Sequence, residues 1–221
     1  MSLSTTSPPK VPVRLPGEEE VSWIDLTDEL NRNRILFLCD ELETELSNEI
    51  IGLLIYLGTE DTSKLLYLFI NSPGGEVING MAIDNIIQII PSGVATICLG
   101  IAASMASYIL AGGKSKKRVA LPHARIMIHQ PSANFNMDGE EESSIDELYV
   151  ELAELLTIRE SLARGYSERT GKPLWIISQD LERDLYMSAT EAKAYGIVDR
   201  NLNSKTFEIL FYLLIVSIDW N

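Results

Sequence analysis

Short apolar runs alternate along this chain with longer segments in which apolar residues recur every three or four positions. The runs at 34–39, 65–70 and 94–100 predict strands, and the last two, which are short and rich in strand-favouring apolar residues, predict buried ones. The segments at 43–57 and 77–90 have the spacing of amphipathic helices, and a proline ends the second one. This alternation predicts an α/β fold with a parallel sheet.

Ser104 lies at the point where the third of these runs passes into a helical pattern. Small residues with good helix propensity follow Gly100, at which we expect the strand to end, and two glycines end the helix. The serine therefore lies on the first helical turn, among free backbone N–H groups and the positive end of the helix dipole. Such a position suits a nucleophile whose transition state carries an oxyanion. It is also a common position for an ordinary N-cap serine.

Two further segments carry candidate chemistry. The Pro-Gly-Gly turn at 73–75 follows the run at 65–70, and its glycines leave backbone N–H groups unshielded. It is either an ordinary tight turn or a donor to a carbonyl oxygen or an extended peptide. His129 follows the apolar run at 125–128, and the chain contains only one other histidine, His123. A lone histidine at a strand end is more often structural than catalytic.

In the same order along the chain, five segments resemble motifs of the proteolytic subunits of the Clp family of serine peptidases. They are Phe69–Gly75, Gly100–Met105, Met127–Pro131, Glu182–Asp184, and Met187–Ala192 with Tyr195–Asp199. Their shared order over roughly residues 20–200 argues against coincidence. The stretches at 9–19 and 169–175 are more similar to the plastid-encoded form of this family than to the bacterial form. The resemblance implies an α/β, crotonase-like spiral of ββα units with a projecting handle helix.

This resemblance also implies a role for individual residues. Ser104 matches the family's nucleophile, His129 its general base, and Asp184 the carboxylate that orients the histidine. The backbone N–H groups of Gly75 and Met105 match its oxyanion hole. This division of roles is chemically reasonable, because a serine hydroxyl is a weak nucleophile until an imidazole accepts its proton.

The implied function is that of the proteolytic subunit of an ATP-dependent protease, a serine endopeptidase that cleaves unfolded polypeptides. Its implied partners are sister subunits in a double heptameric ring and an AAA+ chaperone that delivers the substrate. The residues alone do not select Asp184 over Asp180 or Asp199, since acidic residues near helix ends are ordinarily solvated. Two other interpretations stay open: a non-catalytic structural subunit of a mixed ring, and a crotonase-fold enzyme acting on acyl-CoA thioesters.

The longest helical pattern covers about residues 144–170 and begins with a capping box formed by Ser144 and Glu147. Apolar residues then recur at helical spacing, and a glycine and a proline follow the pattern and end it. Such a stripe either packs on its own domain or, as the resemblance implies, forms a handle between two rings. We favour the handle, because a long helix that projects from a small domain can bury its stripe by oligomerising.

Composition narrows the classes of function. With 221 residues, 46% of them hydrophobic, the chain can bury one sizeable core, so we predict a single domain. The formal net charge of −14 argues against partners such as nucleic acid or an anionic membrane. Cys39 and Cys98 both lie in apolar runs and are interpreted as small buried hydrophobes in a reducing compartment. The sequence has no metal-ligand spacing and no phosphate-binding glycine loop, so we expect no cofactor in the chemistry and ATP use only by a partner.

We divide the chain into an exposed, mobile arm at 1–20, a peptidase domain at 21–200 and a divergent tail at 201–221. The resemblance implies that the arm forms loops at an axial pore. An acidic insertion near 138–142 lengthens the link to the handle, and the apolar part of the tail is shorter than the ~20 residues of a membrane span. The N-terminal segment has no secretory signal core and is short for a transit peptide. We expect a plastid location, in the chloroplast stroma, with a bacterial cytoplasm as the alternative.

Overall fold

The computed structural model describes residues 9–14, 20–132 and 145–202. The strands are β1 Lys10–Arg14, β2 Val21–Asp25, β3 Ile35–Leu38, β4 Leu66–Ser72, β5 Val94–Ala103, β6 Arg118–Ala120, β7 Arg125–Ile128, β8 Leu185–Ser188 and β9 Arg200–Asn201. The helices are α1 Leu26–Arg32, α2 Thr44–Glu60, α3 Val77–Ile89, α4 Met105–Gly112, α5 Ile145–Thr170, α6 Leu174–Asp180 and α7 Ala189–Tyr195. The acidic insertion, Ser144 of the capping box and the tail beyond residue 202 lie outside the described residues.

The main sheet confirms the predicted α/β class with parallel strands. Its order is β3-β4-β5-β6-β9, all parallel, while β7 pairs with the far end of β5 and β8 pairs antiparallel with β7. The expectation that the third strand ends at Gly100 is wrong, since β5 continues to Ala103. The reason is a change of partner: residues 96–98 pair with β6, and residues 101–103 pair with β7.

The core lies between the sheet and the helices that cover one of its faces. Leu54 of α2, Ile83 of α3 and Ile109 of α4 are fully buried there. Cys98 on β5 is buried as expected, but Cys39 is exposed, because it follows the exposed Phe37 at the two-residue spacing of side chains on one face of a strand. Within the described ranges, no helix combines the length and the apolar character that a membrane span requires.

Helix α5 packs on the domain through its C-terminal part. Leu162 and Tyr166, near its C-terminus, are buried in the core. Nearer its N-terminus, Leu152 and Leu156 are 43% and 53% exposed, and Tyr149 is exposed as well. A large part of the apolar surface of α5 therefore remains uncovered in the single chain.

The two chain ends differ from the predicted boundaries. Within the arm assigned to residues 1–20, residues 10–14 form β1, which pairs antiparallel with β2 from Lys10 to Arg14. At the other end, β9 pairs with β6, and the side chain of Leu202 is buried. The first two residues assigned to the tail thus belong to the folded domain.

Candidate active site

Strand pairing places Ser104 next to His129. Ser104 directly follows β5, and His129 directly follows β7. The two strands run parallel, with Ala103 opposite Met127, and the Ser104 N–H donates to the Met127 carbonyl at 3.0 Å. Because parallel strands end at the same edge of a sheet, both side chains emerge there, which is where α/β folds commonly build their sites.

The antiparallel neighbour of β7 brings in Asp184. This residue directly precedes β8, whose first residue, Leu185, pairs with Ile128 at the end of β7. The start of an antiparallel strand lies beside the end of its partner, so Asp184 lies beside His129. Three strand ends, separated along the chain, thus meet at one point.

The three side chains form a continuous hydrogen-bonded line. His129 Nε2 lies 2.9 Å from Ser104 Oγ, and His129 Nδ1 lies 3.0 Å from Asp184 Oδ1. A carboxylate only accepts, so in the neutral imidazole the proton is assigned to Nδ1, and Nε2 is left to accept from the serine hydroxyl. This arrangement allows the imidazole to take a proton from Ser104.

The other two candidate carboxylates have different partners. Asp180 accepts from the Tyr195 hydroxyl at 2.8 Å. Asp199 pairs with the Arg118 guanidinium at 2.7 Å. Burial raises the pKa of Asp199, but the hydrogen bonds from Arg118 outweigh it and bring this pKa below its ordinary value. Of the three carboxylates, it is Asp184 that contacts the histidine.

The backbone at Ser104 is strained. Its φ of 54° and ψ of −127° lie in a region that side chains rarely adopt, at a cost of about 1–3 kcal/mol. The residue occupies the N-cap position of α4, but its hydroxyl bonds to His129 instead of capping the helix. This geometry is unlike that of an ordinary N-cap serine, and strain of this kind concentrates at functional sites.

The Pro-Gly-Gly turn packs directly against Ser104. Gly74 has a φ of 96°, and an added Cβ would lie 2.6 Å from the Ala103 carbonyl oxygen and 2.7 Å from Ser104 Cβ. A side chain at this position would collide with the end of β5. The glycine therefore permits a close approach between the turn and the serine.

Two backbone donors border the serine. Leu42 lies shortly after β3 and pairs with the turn. Its carbonyl accepts from the Glu76 N–H at 3.1 Å, and its N–H donates to the Gly74 carbonyl at 2.8 Å. In parallel pairing, the intervening Gly75 then directs its own N–H to the opposite side, towards the end of β5. Met105 is the first residue of α4, and the N–H groups of a first helical turn have no acceptor within the helix. N–H groups without a backbone acceptor are the kind of donor that stabilises an oxyanion.

A pocket lies beside Ser104 and His129, and the sequence reasoning did not identify it. Its other lining residues are mostly apolar: Val77, Met105, Tyr108, Pro131, Leu162 and Tyr166. They come from α3, α4, α5 and the segment after β7, so the pocket exists only where these elements converge. The helical apolar stripes were visible in the sequence, but they do not show which turn faces the serine.

A buried ion pair holds the pocket wall in place. Arg169, near the end of α5, pairs with the buried Asp84 of α3 at 2.5 Å. The guanidinium also lies 4.2 Å from the centre of the Tyr108 ring on α4. Three helices that line the pocket are therefore tied together.

Among the residues that the structure describes, no group of three or more His, Cys, Asp or Glu side chains could hold a metal ion.

Comparison with known proteins points to one family. The sequence model of the Clp protease family matches residues 17–205. Proteins named ATP-dependent Clp protease proteolytic subunit, from Nicotiana tabacum and Lactuca sativa, are each 56% identical over 191 residues, which is 86% of this chain and 95% of theirs. A protein of the same name from Spinacia oleracea is 55% identical over the same length.

Proposed function

This chain belongs to the Clp protease family, and we propose that it is a serine endopeptidase that hydrolyses peptide bonds of unfolded polypeptides. The observation that carries the proposal is the hydrogen-bonded line from Asp184 through His129 to Ser104, at 3.0 and 2.9 Å. A purely structural subunit has no use for a strained serine in contact with a histidine that a carboxylate orients. An acyl-CoA enzyme of crotonase type shares the oxyanion turn but does not need a hydrogen-bonded serine, histidine and aspartate.

In the proposed acylation step, Ser104 Oγ attacks the scissile carbonyl carbon while His129 Nε2 takes the hydroxyl proton. Asp184 keeps the imidazole in the required tautomer and stabilises the imidazolium that forms. The carbonyl oxygen becomes an oxyanion and accepts from the N–H groups of Gly75 and Met105. The imidazolium then gives its proton to the leaving amine as the peptide C–N bond breaks, which leaves an ester on Ser104.

Deacylation repeats the sequence with water. His129 takes a proton from the water as its oxygen attacks the ester carbon. The collapse of the second oxyanion breaks the bond to Ser104 Oγ, and the imidazolium returns the proton to that oxygen. The products are a carboxylic acid and the free serine. We propose no cofactor for either step, because water and the side chains of this chain supply each transferred proton.

The pocket and the turn suggest how a substrate is held. The pocket lined by Val77, Leu162 and the rings of Tyr108 and Tyr166 has only about 10 Å³ of free space, so an apolar side chain next to the scissile bond would have to widen it. The backbone of the Pro-Gly-Gly turn offers hydrogen bonds to an extended polypeptide, in the manner of an added strand. An unfolded chain can adopt that conformation, whereas a folded protein must first be opened.

We propose that access is controlled by enclosure. The uncovered apolar residues of α5, among them Leu152 and Leu156, support burial against a second ring of sister subunits. The relatives are named ATP-dependent, although none of the chemistry above uses ATP. We therefore assign ATP hydrolysis to an AAA+ chaperone partner that feeds substrates into the chamber. The flowering-plant origin of the relatives supports a plastid location.

The proposed function is tested by labelling the assembled protease with a fluorophosphonate probe. We expect one covalent adduct per copy of this chain, on the Ser104 oxygen, because His129 makes this hydroxyl more nucleophilic than an ordinary serine. Mass spectrometry of the digested chain locates the adduct. Ser161, which donates to a backbone carbonyl on the exposed face of α5, is an internal control that stays unlabelled. An active protease that carries the probe on a different residue of this chain would contradict the assignment.

A second prediction concerns α5. Replacing Leu152 and Leu156 with aspartate is expected to yield single rings with little peptidase activity, since burying each leucine is worth about 1.5–3 kcal/mol. Native mass spectrometry of the particle, prepared with its sister subunits, reports the ring state. Glu154→Ala changes an exposed polar residue of the same segment and should leave the particle intact. Stacked, fully active rings that contain the double aspartate variant would show that this surface is not the ring contact.

A further inference from the structure

A chain of two hydroxyls connects α5 to the backbone of Ser104. The Tyr166 hydroxyl, on α5, lies 2.7 Å from Ser107 Oγ on α4. Ser107 Oγ lies 2.6 Å from the carbonyl oxygen of Ser104. Ser107 and Tyr166 are both buried, so water does not compete freely for these bonds.

The direction of each bond follows from the available protons. A carbonyl oxygen can only accept, so Ser107 donates its single hydroxyl proton to Ser104. Ser107 Oγ is then an acceptor, and the Tyr166 hydroxyl donates to it. Burial raises the pKa of Tyr166, so this hydroxyl stays protonated and remains a donor throughout the range in which proteases act.

The Ser104 carbonyl matters because of the group on the other side of its peptide bond. This carbonyl and the Met105 N–H belong to one planar trans peptide unit, in which they point in opposite directions. A donor that fixes the carbonyl therefore also fixes the direction of the N–H that borders the reaction site. The same carbonyl accepts from the backbone N–H groups of Ser107 at 3.0 Å and Tyr108 at 3.3 Å, and the hydroxyl adds a further donor.

The hydroxyl donor matters because the backbone at Ser104 is strained. The φ of 54° is unfavourable for serine, and the peptide would relax if the surrounding contacts allowed it. Rotation of that peptide would move the Met105 N–H and the Ser104 side chain together. At the start of an unstrained helix, the loss of one hydroxyl contact has no such consequence.

We propose that Ser107 and Tyr166 are positioning residues, which hold the Ser104–Met105 peptide in the orientation that its catalytic groups require. This inference rests on the proposed function, since it assigns a task to the same site. Neither hydroxyl contacts the reacting atoms in this arrangement. They act through the peptide, and they link its orientation to the seating of α5 on the domain.

Tyr166→Phe tests the proposal with the smallest change, because the ring and its edge-on contact with Tyr108 at 5.1 Å are kept. The expected result, in the assembled protease, is a fall of about three- to tenfold in kcat for a short peptide, with KM changed by less than about twofold. The rate of Ser104 acylation by a fluorophosphonate should fall by the same factor. Ser107→Ala removes both hydroxyl contacts and should lower kcat at least as much, and the double variant should match Ser107→Ala without a further loss.

Tyr195→Phe is the matched control, because it also removes a tyrosine hydroxyl bond, but one whose partner is Asp180 and not the Ser107 hydroxyl. Its kcat per titrated site should stay within about twofold of the unchanged protein. Reduced thermal stability of Tyr166→Phe with an unchanged kcat per titrated site would overturn the proposal, since the contact would then be structural only. A rise in KM alone would overturn it too, by assigning Tyr166 to substrate binding. If the unchanged protein is not acylated at Ser104 at all, it is the proposed function that fails.

Discussion

Replacing Ser104 with alanine is expected to lower kcat for peptide cleavage by about 10⁵- to 10⁶-fold, the loss seen when a serine nucleophile is removed from such a triad. The remaining groups can still bind a peptide and polarise its carbonyl, but no oxygen is held in place to form the acyl intermediate. Folding should survive, because the hydroxyl bonds to the partly exposed His129 and does not cap α4. Alanine also fits the space that the Ser104 Cβ already occupies.

The measurement is steady-state hydrolysis of a fluorogenic peptide by particles in which this chain carries the variant. Sister subunits with their own sites would mask the loss, so the acyl-enzyme formed on this chain is quantified in parallel by mass spectrometry. Ser161→Ala, on the exposed face of α5, is the control and should have normal turnover. Cleavage by the Ser104→Ala chain at more than about a hundredth of the normal rate would remove Ser104 from the mechanism.

Much of the fold could be predicted because the apolar runs are nearly continuous. A buried strand gives such a run, and the structure places β4 and β5 close to the predicted positions. The error at Gly100 shows the limit of this reasoning. An added Cβ there would lie 2.5 Å from Asn71 Oδ1, which itself accepts from the Ile101 N–H at 3.1 Å. Gly100 therefore marks a close contact inside a continuous strand, which local sequence cannot distinguish from an end.

The candidate site was only partly predictable from the residues. Ser104 and His129 each follow an apolar run, so the sequence alone indicates that both lie at the ends of strands. Asp184 lies 55 residues from His129 along the chain, and their contact depends on the antiparallel pairing of β7 with β8 after the whole of α5 has intervened. That pairing is a tertiary feature, which explains why local sequence does not distinguish Asp184 from Asp180 and Asp199.

The supporting groups around the site were missed, although the sequence contained a signal. Asp84 shares the buried face of α3 with Gly80 and Ile87, and Ser107 lies among the apolar residues of α4. A polar side chain on a buried helical face requires a partner, and the structure supplies Arg169 for Asp84 and Tyr166 for Ser107. Both partners come from α5. The helix that leaves apolar residues uncovered at one end therefore braces the pocket and the serine at its other end.

Asp184→Asn is expected to lower kcat by about 10⁴-fold while assembly stays intact. The asparagine amide can donate to His129 Nδ1, which favours the tautomer with its proton on Nε2, and this nitrogen then cannot accept from Ser104. The imidazolium formed during acylation would also lose the negative charge beside it. The Asp184 side chain is 60% exposed in the single chain, so the substitution leaves no deeply buried group without a partner and should not unfold the domain.

The matched control is Asp180→Asn, which makes the same chemical change at the end of α6, shortly before β8. An asparagine there can still accept from the Tyr195 hydroxyl through its carbonyl oxygen, so kcat should change by less than about threefold. Single-turnover acylation by a peptide ester is measured for both variants, because it reports the acylation step without a contribution from product release. Near-normal acylation by Asp184→Asn, together with a large loss in Asp180→Asn, would move the orienting role to Asp180. The 3.0 Å contact of Asp184 with the histidine would then be a structural hydrogen bond at the rim of the site.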